Sequence, residues 1–160
     1  MRKFVFLVLT VCCTAFIFSN SLMDGHSSGV LSAFVLNVLQ RWAEHVGLPP
    51  SMFNELMVRK LAHFLQFALL GFLLTATIQC WFGKIKPHVF MILFCGLSIA
   101  VTDEFIQLFV DGRSSQVDDI ILDFVGFIFG MLLYIGIAQL LRAITIKKQN
   151  PGKVHRAQPG

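Results

Sequence analysis

Charge is scarce in this 160-residue chain. Asp, Glu, Lys and Arg make up 14% of it, against roughly 25% in soluble domains. Tyrosine occurs once, although phenylalanine occurs 17 times. Together these shortages exclude an ordinary water-soluble domain. The four cysteines, Cys12, Cys13, Cys80 and Cys95, form no C-x-x-C pair. That removes the usual thiol metal and redox motifs. Each lies in an apolar run and reads as a small packing residue. No internal repeat is present, so a stacked-repeat architecture is excluded as well.

What remains is apolar. Hydrophobic residues are 56% of the chain, and the mean hydropathy is +0.73. Four stretches reach the roughly 20 residues that a spanning helix needs. They are 4–23, 61–83, 87–110 and 119–141. The first also has the outline of a signal peptide, with a basic start and small residues near Ser19 and Ser21. No A-x-A pattern closes it, so a retained helix is expected. The loop after it, "SSGVLSAFVLNVLQRWAEHVGLPP", places Val30, Leu31, Phe34, Val35, Val38, Leu39 and Trp42 at helical spacing. It predicts an amphipathic helix, capped by Ser27 or Ser28 and stopped by Pro49-Pro50. That helix would lie on the membrane surface or cover one mouth of the bundle. The expected fold is all-α: four transmembrane helices with this outer-loop helix, in one domain over residues 1–146. Residues 147–160 form a basic tail rich in Pro and Gly, expected to be disordered. The short links "GKIKPH" and "DGRSSQV" predict that consecutive spans pair as antiparallel neighbours.

Orientation follows from the cations. With both termini in the cytoplasm, Arg2, Lys3, Lys84, Lys86, Arg142, Lys147, Lys148, Lys153 and Arg156 face inward, 9 of 13. Arg41, Arg59, Lys60 and Arg113 face outward. The positive-inside rule therefore predicts a multi-pass cell-membrane protein with N and C termini inside. The net charge of +4 is accounted for by basic ends against anionic lipids. It calls for no nucleic acid.

The few acids are placed oddly. More than half of the nine, among them Asp103, Glu104, Asp118, Asp119 and Asp123, lie inside or beside the last two apolar runs. An acidic residue at mid-bilayer costs on the order of 2.5–3.5 kcal/mol. Such groups must pair, take up a proton or face water. Asp103, Glu104 and Gln107 share a face near the outer end of the third span. Asp119 and Asp123 share one at the outer start of the fourth. Arg59, Lys60 and His63 open the second span, and Arg113 sits on the loop between the third and fourth. Three separate segments thus converge on one polar pocket. Gly126 and Gly130 continue the Asp119–Asp123 face as G-x-x-x-G, a close-packing signal.

At these residues the chain resembles the VanZ-like family, named for teicoplanin resistance. The resemblance rests on "RKLAHFLQFALLG", "DEFIQLFVDGRSSQVDDIILDFVGFIFG" and "FSNSLMDGHSS", and covers about residues 17–130. It points to Lys60, His63, Asp103, Glu104, Gln107, Gly112, Arg113, Asp119, Asp123, Gly126 and Gly130, and more loosely to Ser19, Ser21, Ser27 and Ser28. The chain departs at Gln66-Phe67, where the family often has Glu-Tyr, and at Asp111, where it often has Pro. The first departure removes an acid and a phenol from the pocket. The resemblance implies an envelope role linked to a lipoglycopeptide that acts outside the membrane. It supplies no reaction.

Three functions compete. One is a non-enzymatic membrane protein that binds or shields a lipid-linked envelope component or a lipoglycopeptide antibiotic, with Arg59, Lys60 and Arg113 on its phosphate or carboxylate. Another is an intramembrane enzyme acting on a lipid headgroup. It would use His63 beside Glu104 for proton transfer, and Glu104, Asp119 and Asp123 for Mg²⁺ or another divalent cation. The third is a passive bundle glued by ion pairs. No lipid-transferase or phosphatase signature accompanies Asp111-Gly112-Arg113. The first reading is therefore expected, with no cofactor, and with an Arg113–Asp pair rather than a metal neutralising the acids.

Overall fold

The protein is described by a computed structural model, which covers residues 1–23, 25–112 and 116–149. Its order is α1 (Arg2–Ser21), α2 (Gly25–His45), a 3-10 turn (Pro50–Met52), α3 (Glu55–Phe82), a second 3-10 turn (Lys86–His88), α4 (Val89–Gln107) and α5 (Val117–Gln149). No strand occurs among the described residues. By length and composition, α1, α3, α4 with its preceding turn, and α5 can cross a membrane.

Local chemistry sets the helix ends. Asn54 accepts from Met57 N–H at 2.8 Å and Glu55 sits in the first turn, so α3 starts six residues before the expected Leu61. Gly83 ends α3 with φ 74°, and its N–H reaches the Gln79 carbonyl at 2.9 Å. Two expectations for α2 need correction. The helix already begins at Gly25, so Ser27 and Ser28 lie inside it. It ends at His45, before the prolines. Gly47 adopts φ 77°, and Leu48 N–H bonds back to the Ala43 carbonyl at 2.8 Å. A glycine in the left-handed region terminates a helix without help from proline. α5 continues through Gln149, three residues past the expected domain edge. Residues 150–160 lie outside the described residues.

α3 is the hub of the bundle. It packs against α1, α2, α4 and α5. Of its most apolar window 44% is buried, against 22–28% for the other three spans. Its closest partner is α5, although their sequences are far apart. Gly126 faces the Phe64 carbonyl, Gly130 the Ala68 carbonyl, and Gly71 of α3 the Phe127 carbonyl. The two helices therefore run parallel, with backbones too close for a Cβ. The Phe127 ring is fully buried and lies against Gly96 of α4. Phe67, Leu70, Ile92, Ala100 and Ile17 complete the core.

Most large apolar side chains face outward, as lipid contact demands. α2 lies along α3, with Ser32, Val35 and Leu39 over Val58, Leu61 and Leu65. Its Val30, Phe34, Val38 and Trp42 remain exposed on another face.

Candidate functional site

The interior is polar at one end of the bundle. Asp103, Glu104, Gln107 and Asp123 are all buried. They come from the last turns of α4 and the first turns of α5. Lys60 and His63 approach from α3, and Ser21 from the end of α1. His63 is eight residues into α3, about 12 Å from its start. The earlier start of α3 puts it well inside the bundle.

Two sets of contacts organise the cluster. In the first, Lys60 Nζ lies 3.0 Å from Asp119 Oδ1, a contact ion pair whose approach is off the hydrogen-bonding direction. Lys60 is partly exposed, so this pair marks the mouth of the site. In the second, His63 Nδ1 stands 3.7 Å from Asp123 Oδ2 and 3.9 Å from Asp103 Oδ2. Both separations exceed a charge-assisted hydrogen bond of about 2.7–2.9 Å. Asp103 is clamped from its other side. Ser21 Oγ donates to Oδ1 at 2.5 Å, and Gln107 Nε2 donates to Oδ2 at 3.2 Å. Neither oxygen of Asp123 accepts a hydrogen bond among the described residues.

Glu104 has a different task. It accepts from Gln107 Nε2 at 3.4 Å and from the backbone N–H of Gln116 at 3.1 Å. It thereby ties the α4–α5 link to α4. The expected neighbour of His63 was Glu104; the carboxylates near its Nδ1 are Asp103 and Asp123.

The alternative metal set of Glu104, Asp119 and Asp123 is likewise not the one that converges. Among the described residues, the ligand atoms that come within 4.8 Å of one another belong to His63, Asp103 and Asp123. The two aspartates on one face of α5 are divided between two partners. Asp119 meets Lys60 and Asp123 meets His63, three residues further along α3. Arg113 lies outside the described residues, and so does the Arg113–Asp pair.

A narrow cleft leads to the cluster. It is lined by Arg59, Lys60, His63, Gln107, Asp119 and Leu122, and holds about 10 Å³ of free space. That is the space of a single water or ion. A larger crevice of about 470 Å³ opens at the opposite end, among Gln79, Lys84, Lys86, Gln139 and Arg142. It is remote from the carboxylates.

Spacing alone did not identify Ser21 as the Asp103 donor; only the looser serine pattern of the family pointed to it. Gly71 and Gly96 were missed too. A lone glycine in an apolar helix gives no signal of what presses on it.

The VanZ/LLP1 family model matches residues 4–142. No curated protein and no solved structure matches the chain. The match spans most of the chain, including every residue of the polar cluster, and the chain belongs to this family.

Proposed function

We propose that this membrane protein serves the cell envelope by binding or shielding a lipid-linked or lipophilic ligand. An envelope precursor or a lipoglycopeptide would present its anionic group to the polar end of the bundle. The observation that carries this reading is the cleft. Arg59 and Lys60 line it together with His63, Gln107 and Asp119 of the polar cluster. With room for one water, the passage admits no sugar or acyl chain. The ligand's charged group therefore rests at the mouth while its apolar part stays in lipid. Arg59 supplies a bidentate anion contact there, and Lys60 a point charge.

Mass spectrometry of co-purifying lipids tests this. Wild type should retain a phosphate- or carboxylate-bearing lipid that Arg59→Ala/Lys60→Ala loses. Identical lipid profiles would sink the proposal.

One observation favours a second reading, an intramembrane metal-dependent enzyme acting on a lipid headgroup. His63, which lines the cleft, approaches Asp103 and Asp123. That reading requires turnover of a lipid pool to be EDTA-sensitive.

A further inference from the structure

We infer that His63 Nδ1, Asp103 Oδ2 and Asp123 Oδ2 bind a divalent transition-metal cation, Zn²⁺ in the first instance. The site stands whether or not a headgroup binds above it.

Charge balance is the first argument. Asp103 and Asp123 are 0% exposed. With both ionised, a protonated His63 balances one of the two negative charges, and among the described residues no second cation is paired with them. Neutral His63 with a divalent cation brings the sum to zero. Lys60 is engaged with Asp119 at the mouth. Glu104, also buried, increases the local negative charge. A buried uncompensated charge is costly, and a bound metal removes the cost.

Geometry is the second. One imidazole nitrogen faces two carboxylate oxygens at 3.7 and 3.9 Å. Its single proton cannot make a short bond to both. Metal bonds of about 2.1 Å at tetrahedral angles separate donors by roughly 3.4 Å. A few tenths of an ångström of side-chain movement closes the two imidazole–carboxylate gaps, and all three donor atoms already lie within 4.8 Å of one another. Among the described residues neither oxygen of buried Asp123 accepts a hydrogen bond of good geometry, and its ion-pair partner is His63, so a cation held between the two would use them.

The supporting shell is the third. Ser21 and Gln107 fix the Asp103 carboxylate from α1 and from its own helix. Donors of this kind orient ligating carboxylates. The donor set selects the metal. One imidazole with two carboxylates suits zinc-class ions better than Mg²⁺, which prefers oxygen alone. Three protein ligands leave a fourth position for water or a ligand oxygen, on the side of the cleft that His63 lines.

The experiment is metal analysis of the full chain in detergent, after dialysis against a weak chelator. Wild type should hold about one Zn²⁺ per chain. Asp123→Asn and His63→Ala should hold almost none, while Asp119→Asn should match wild type. Ser21→Ala should weaken Zn²⁺ affinity by about tenfold, the usual scale for a lost supporting hydrogen bond. Equal metal in wild type and Asp123→Asn would overturn the site. So would a loss in Asp119→Asn as large as that in Asp123→Asn. If the variants do not fold, Co²⁺ added to metal-stripped wild type decides. A visible d–d band displaced by Zn²⁺ supports the site, and its absence refutes it. Lipid mass spectrometry reads the headgroup proposal separately, so either idea can fail alone.

Discussion

Glu104 shows what one carboxylate can do inside an apolar protein. It is 1% exposed, yet its hydrogen bonds go to an amide side chain and a backbone N–H. An acceptor is what the α4–α5 link requires there. Glu104→Gln should therefore retain most of the stability, since the amide oxygen can still accept from Gln116. Glu104→Ala leaves those donors without this acceptor and should cost about 1–3 kcal/mol. Thermal unfolding in detergent, followed by tryptophan fluorescence, separates the two. Equal losses would mean that the charge, not the acceptor, is required. At this scale the sequence was informative about membership and silent about pairing. The i+3 and i+4 relations of Asp103, Glu104 and Gln107 were readable, because one helix fixes them. That His63 faces Asp103 and Asp123, with Glu104 assigned to the link, depends on the relative depth of three helices. Depth depends on where α3 starts, and the polar residues Asn54 and Glu55 place that start outside the apolar run.

Between elements, the parallel contact of α3 with α5 decides how the polar cluster is assembled. It sets Lys60 beside Asp119 and His63 beside Asp123, because the same backbone crossing continues through Gly126 and Gly130. Loop lengths predicted antiparallel neighbours along the chain. Such neighbours exist, but short loops say nothing about pairing between helices two steps apart. The G-x-x-x-G spacing marked the face of α5, while its partner surface around Phe64, Ala68 and Gly71 carried no comparable mark. A Cβ at residue 130 would collide with the Ala68 backbone carbonyl, which cannot rotate away. Gly130→Ala should therefore force the helices apart and destabilise the fold by about 1–3 kcal/mol. Gly136, on the same helix, has nothing within 4 Å of an added Cβ. Gly136→Ala should be neutral or slightly stabilising, since alanine favours the helix. Melting temperatures of the two variants provide the check. Equal behaviour would show that the α3–α5 approach does not limit stability.

For the whole molecule, the cluster and the basic residues mark opposite ends. Lys84, Lys86 and Arg142 line the crevice far from the carboxylates, and Arg2 and Lys3 begin α1 at that same end. α5 is 33 residues long, about 50 Å, against a hydrocarbon core of about 30 Å. Its surplus length is enough to carry Arg142 and Lys148 beyond the core at the basic end. Four spans return the chain to the side where it began, so α1 starts and α5 finishes together. The positive-inside rule predicts the basic end in the cytoplasm and the carboxylate cluster at the external face. Gln116 is exposed beside the cluster, and its link to Glu104 runs through its backbone, so its side chain can be replaced. In a chain with the four native cysteines removed, Gln116→Cys should react with a membrane-impermeant maleimide on intact cells. A cysteine at Lys84 should react only after permeabilisation. The reverse pattern would turn the bundle over, place the cluster in the cytoplasm, and exclude any ligand that acts from outside.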